Sequence, residues 1–205
     1  MSRRWLIAVA ALLPAAARAD SVPVPAPPPV PTAADVIGDQ GIGAELGLAT
    51  GGRVTPGGLR LAGHYFYQLS DQDWFDGSAS FTFGGDSAQC FRDRTGSFVC
   101  DHGLTDGDGV VISATVRRYF VAQGMFRPFA RAGIGIGLAR FGADGVTGLV
   151  IPLVGGAGLR AEITEGIAVV ARADLEVGLG IFDKSLGLQP QLGGVVMIGA
   201  EFRLQ

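Results

Sequence analysis

The chain is poor in the residues that coat soluble proteins. Of its 205 residues only one is lysine, Lys184, and none is asparagine. Charged residues make up 17% of the total. Soluble domains carry roughly 25–35% charged residues on their surfaces, so an ordinary hydrated exterior is not encoded here. Cysteine is also scarce, with Cys90 and Cys100 alone, which excludes a disulfide-dense miniature fold. No apolar run reaches the ~20 residues a spanning helix needs. No G-x-S-x-G, H-E-x-x-H or C-x-x-C motif is present, so the common hydrolase, zinc-protease and dithiol signatures are missing.

Glycine is the residue in excess, 33 of 205. It follows no G-x-y period, which excludes collagen. The glycines fall inside alternating segments, where they suit a curved, closely packed sheet.

The N-terminal region reads as a targeting segment. Arg3 and Arg4 form a basic start, Trp5 to Leu13 an apolar stretch, and Ala17-Arg18-Ala19 a cleavage site. Residues 1–19 are therefore expected to be a secretory signal peptide. Loss of Arg3, Arg4 and Arg18 leaves 13 basic against 19 acidic residues, a net charge of −6 in place of −3. A mildly acidic chain does not point to nucleic acid. Residues 20–35 are Pro-rich (SVPVPAPPPVPTAA over 21–34) and read as a polyproline II spacer, a tether or an arm toward a cell-wall or periplasmic partner.

From residue 41 the hydrophobic pattern has period two. Eight segments follow, at about 41–50, 58–69, 74–84, 109–121, 126–140, 148–163, 166–180 and 191–204. The seventh is the clearest: Ile167, Val169, Ala171, Ala173, Leu175, Val177 and Leu179 share one face, and Arg172, Asp174 and Glu176 the other. Each segment meets the 9–11 residues that a tilted strand needs to cross hydrocarbon. Connections at 70–73, 122–125 and 164–165 are short. Those at 51–57, 85–108, 141–147 and 181–190 are longer. Short periplasmic turns and long external loops have this asymmetry, which predicts both termini in the periplasm. The predicted fold is all-β, an eight-stranded antiparallel up-and-down transmembrane barrel over residues 36–205.

In such a barrel the apolar face meets lipid and the polar face fills the lumen. The expected lumen charge network is Glu45, Arg60, His64, Arg117, Arg131, Arg160, Glu162, Arg172, Asp174, Glu176, Glu201 and Arg203. Eight strands enclose just enough space for side chains, so these charges must pair with one another. Tyr67, Phe75, Phe120, Phe126 and Phe202 fall on the apolar face near the short turns, as an interfacial girdle would. Arg118 and Arg140 interrupt that face near strand ends, where snorkelling suffices; Arg140 is also placed to meet lipopolysaccharide phosphates. Cys90 and Cys100 are expected to form one disulfide in the oxidising compartment. Asp106-Gly107-Asp108-Gly109 lacks the Glu and spacing of a calcium loop and reads as turn chemistry. No catalytic, metal or cofactor site is expected.

With its signal, eight alternating strands, loop asymmetry and girdle, the chain resembles the small outer-membrane β-barrels of the OmpA/OmpX type. That resemblance implies a location in the outer membrane of a Gram-negative bacterium. It implies contact with outer-membrane lipids, lipopolysaccharide and the insertion machinery, with Phe202 in the role of the C-terminal aromatic that the machinery reads. It implies a non-enzymatic protein that serves envelope integrity and displays its loops, above all 85–108. A narrow porin is the alternative. Less favoured is a lipid A-modifying enzyme, for which only Asp101 and His102, with Ser87 or Ser97, offer the residue types.

Overall fold

The computed structural model describes residues 38–52, 54–85, 89–92, 98–101, 104, 106–122 and 124–204. All belong to the compact unit Thr32–Gln205. The expected signal peptide and Pro-rich segment lie outside the described residues, as do Ser87, Ser97 and His102.

Among the described residues there are ten strands: β1 Gln40–Thr50, β2 Gly58–Gln68, β3 Asp73–Gly85, β4 Gln89–Arg92, β5 Phe98–Asp101, β6 Gly107–Tyr119, β7 Phe126–Phe141, β8 Val146–Thr164, β9 Ile167–Phe182 and β10 Gly187–Leu204. Eight of them close into a barrel in the order β1-β10-β9-β8-β7-β6-β3-β2, and every adjacent pair is antiparallel. Closure pairs β1 with both β10 and β2, so no strand edge is left open to lipid.

The alternation seen in the sequence becomes an inside-out burial pattern. Leu46, Leu61, Ile112, Ile136, Leu153, Leu179 and Ile198 all point outward and are exposed, while Glu45, Arg60, Arg117, Arg131 and Asp174 point inward and are buried. A water-soluble barrel would have these faces exchanged, because an apolar exterior of this size is not tolerated in water. Glycines on the inner wall make room for the charges. A methyl group on Gly199 would meet Glu45 Cγ at 2.6 Å, and one on Gly156 would meet Asp174 Oδ1 at 2.0 Å.

Gln40 and Leu204 are paired, so both barrel termini lie at one end, together with the turns at 69–72, 120–125 and 165–166. The other end carries 51–57, 86–106, 142–145 and 183–186. Two outer connections are shorter than the sequence suggests. β8 starts at Val146 and β10 at Gly187, which leaves four residues in each of these turns. The extra strand length is paired throughout, Thr147 with Arg140 and Gly187 with Phe182. The long 85–108 connection is not all loop. It contains the β4–β5 ribbon, in which Cys90 and Cys100 stand directly opposite.

Candidate functional site: the barrel lumen

Each of the eight barrel strands contributes a charged side chain to the interior, because an inward position recurs every second residue. Asp76 of β3 is the centre of this network. Its Oδ1 lies 2.8 Å from His64 Nδ1, and its Oδ2 accepts from Arg117 Nη2 and Arg131 Nη1, both at 3.0 Å. His64 Nε2 faces Glu45 Oε2 at 3.2 Å, so each ring nitrogen meets a carboxylate. Arg172 Nε donates to the same Glu45 oxygen at 2.6 Å and its guanidinium also pairs with Asp174. Arg131 Nε stands 3.6 Å from Asp174 Oδ1.

Two further groups extend the network along the axis. Toward the loop end, Arg60 pairs with Glu176 and donates to Thr82 Oγ1 at 2.7 Å. Toward the turn end, Glu201 accepts from Arg117 and from Arg160 Nε, the latter at 3.0 Å. Arg117 is fully buried, its guanidinium carbon 4.5 Å from the ring centre of Phe66 and 4.4 Å from that of Phe129. These rings supply the cation–π contacts that desolvation favours. Five arginines (60, 117, 131, 160, 172) thus face five carboxylates (45, 76, 174, 176, 201), apart from His64. A buried ion is tolerated only when paired and hydrogen-bonded in this way.

The structure corrects the sequence reading at two positions. Glu162 and Arg203 do not join the interior. Both are exposed at the turn-end rim, where Glu162 reaches Arg160 Nη1 at 3.6 Å and Arg203 pairs with Asp39. The cause is position: each sits near the last rungs of its strand, beyond the enclosed part of the bore. Asp76 was the omission. It lies on the polar face of the third segment, yet nothing local marks it, because its partners come from β2, β6 and β7.

Apolar clusters pack inside the bore toward each end. At the loop end Phe141, Phe182, Val146, Val150 and Ala139 form a buried cluster with Val54 of the first loop. That loop folds into the mouth. Thr55 Oγ1 bonds Gln191 Oε1 at 3.1 Å, and Gln191 Nε2 donates to the Val54 carbonyl at 2.8 Å. Beneath it a cavity of about 30 Å³ remains, lined in part by Thr55, Arg60 and Gln191, room for a water molecule. At the turn end Tyr119, Phe129 and Val170 pack together with Trp74. Below them opens a vestibule of about 230 Å³.

The five aromatics expected as a girdle lie outward near the turn end. Phe120, Phe126 and Phe202 are exposed, and Tyr67 pairs directly with Phe75 between β2 and β3. Tyr65 joins them, donating to Gln40 Oε1 at 3.0 Å. Arg118 is not a lone cation: it binds Asp73 through two bonds of 2.9 and 3.0 Å. Arg140 is exposed near the loop end. Asp106 takes a left-handed φ of 57° at the entry to β6, and its carbonyl accepts from the Gly142 N–H, so the Asp-Gly-Asp-Gly stretch is a strand entry.

No family model and no curated protein matches the chain. Solved structures do. Neisserial surface protein A superimposes with a TM-score of 0.59 at 14% identity, covering 82% of this chain and 97% of that one. The N-terminal β-barrel domain of Pseudomonas aeruginosa OprF gives 0.52 at 18% identity, covering 82% and 99%. At these identities the likeness speaks to fold, and it agrees with the closed ring, the outward apolar face and the inward charges: the chain has the fold of the small eight-stranded outer-membrane β-barrels of the OmpA/OmpX type.

Proposed function

We propose that the protein is an exported, non-enzymatic barrel of the Gram-negative outer membrane whose lumen is a structural core, and which serves envelope integrity while displaying its loops at the surface. The observation that carries this reading is the pairing of an apolar exterior, interrupted by charge only near strand ends, with an interior filled by ion pairs. Charges drawn from all eight strands cross the bore at successive levels, and the folded-in first loop stops the outer mouth. A filled interior is what eight strands favour over a solute path. The placement of both termini at the end opposite the two longest connections, 51–57 and 86–106, supports a periplasmic location for both. The aromatics at that end support an interfacial girdle. The opposed register of Cys90 and Cys100 supports a disulfide that staples the displayed β4–β5 ribbon. The exposure of Arg140 near the loop end supports a contact with lipopolysaccharide phosphates, and the exposure of Phe202 near the end of β10 supports a role with the insertion machinery.

Cell fractionation with electrophoresis before and after boiling tests the reading. The protein is expected in the outer-membrane fraction, with a mobility that changes on boiling. A protein that stays in the soluble periplasmic fraction would contradict it. Planar-bilayer recordings separate the narrow-porin alternative, since steady conductance from the folded protein would favour a pore. Lipid A masses from cells with and without the protein are expected to be the same.

A further inference from the structure

The vestibule at the turn end keeps two neutral polar groups without a partner, whereas the unpartnered atoms deeper in the bore, such as Glu45 Oε1 and Arg117 Nε, belong to side chains already held in ion pairs. Gln68, only 3% exposed, has an Oε1 with no hydrogen-bond partner, although its Nε2 donates to the Ser70 carbonyl at 3.1 Å. The indole Nε1 of Trp74 is buried and likewise has no partner. Both residues line the same 230 Å³ space. A buried donor and a buried acceptor left unpaired cost on the order of 1–3 kcal/mol each, so a site that keeps both calls for a complement.

A third group lines this space. Arg127 packs over the Tyr119 ring, 4.8 Å from its centre, and donates only to the Asp71 carbonyl at 3.3 Å. Among the described residues no carboxylate lies within ion-pair distance of it, in contrast to Arg160 and Arg203 at the same mouth. The acids there are mostly engaged: Glu201 by Arg117 and Arg160, and Glu162 by Arg160. Asp71 also borders the space and limits how far an anion enters.

We propose that the vestibule is a binding site for a small carboxylate that also carries a secondary amide. The amide carbonyl accepts from Trp74 Nε1, the amide N–H donates to Gln68 Oε1, and the carboxylate pairs with the Arg127 guanidinium. Phe66 and the Tyr119 ring supply the apolar wall. An N-acylated peptide C-terminus and an N-acetylated sugar acid share this chemistry, and 230 Å³ fits the end of such a molecule. Both are the kind of fragment that cell-wall turnover releases. The site itself rests on the cavity and its unpaired groups, whichever compartment the mouth faces.

Trp74 makes the test direct. The chain has two tryptophans, Trp5 and Trp74, so a Trp5→Phe variant of the full chain reports from Trp74 alone. The folded protein in detergent micelles is titrated with N-acetyl-alanyl-alanine and, separately, with N-acetylmuramic acid. A saturable change in emission with a half-point at or below about 1 mM is expected for at least one of them. A tighter peptide response identifies a peptide source, and a tighter sugar-acid response a glycan source. The methyl ester of the responding probe should bind at least about tenfold more weakly, and Arg127→Gln should weaken the free acid by a similar factor. Arg127 is partly exposed, and the boiling-dependent mobility shift verifies that the variant still folds. No saturable change with either probe, or equal responses to acid and ester, would overturn the proposal. The outer-membrane reading would survive either result.

Discussion

Asp76 holds one carboxylate against an imidazole and two guanidiniums, and removing it strands three buried partners at once. Asp76→Ala should therefore destabilise the barrel by about 3–5 kcal/mol, the usual effect of breaking a buried pair from one side. Urea unfolding followed by the gel-mobility shift measures this. The outward pair Arg118–Asp73 is the internal comparison. It is partly exposed, so Arg118→Gln should change stability by less than about 1 kcal/mol. Gly156→Ala tests the inner wall. The added methyl has no space beside Asp174 and the Ala173 carbonyl, 2.5 Å away, and overpacking of this kind costs about 1–3 kcal/mol. Ten of the twelve interior charges expected from the alternation do lie inside. The two others, Glu162 and Arg203, share the right parity but sit too near the rim, and parity alone carries no depth. Asp76 shows the converse limit: its importance comes from partners 12, 41 and 55 residues away in sequence.

At the scale of strands and loops, period two was sufficient to find all eight barrel strands, because outward positions are apolar almost throughout and most inward ones are polar or small. Strand ends were less legible. β8 and β10 extend past their alternating cores by pairing with neighbours, Thr147 N–H donating to Asp183 Oδ1 at 2.9 Å as the last rung. The apolar loop-end plug was not legible either, since Phe141, Phe182 and Val54 look like outer-rim aromatics or loop residues until the register is known. The plug leads to a prediction. Gln191→Ala removes the two bonds that hold Thr55 and Val54, and should make residues 51–57 open to external protease while leaving the barrel resistant. If that loop is cleaved equally in both proteins, the bonds to Gln191 do not hold it. The outward face has its own test in β7 and β10. Ile136→Arg, near mid-strand, should cost about 2–4 kcal/mol in a bilayer, and Leu188→Arg, near the loop end, about 0–1. Equal effects at the two positions would mean that no hydrophobic gradient runs along the barrel wall.

For the whole molecule, the account depends on what touches the outward side chains. Closure of the sheet and burial of the charges both follow if that medium is hydrocarbon. The direct measurement is the collision profile of nitroxide labels placed singly at Ala171, Ala173, Leu175, Val177 and Leu179 of β9, with the protein reconstituted in liposomes. Oxygen concentrates in the bilayer and a nickel chelate in water, so the account predicts oxygen contact rising to a maximum at the middle positions while nickel contact falls. A profile in which the nickel chelate reaches all five labels alike would place water along this strand and contradict the account.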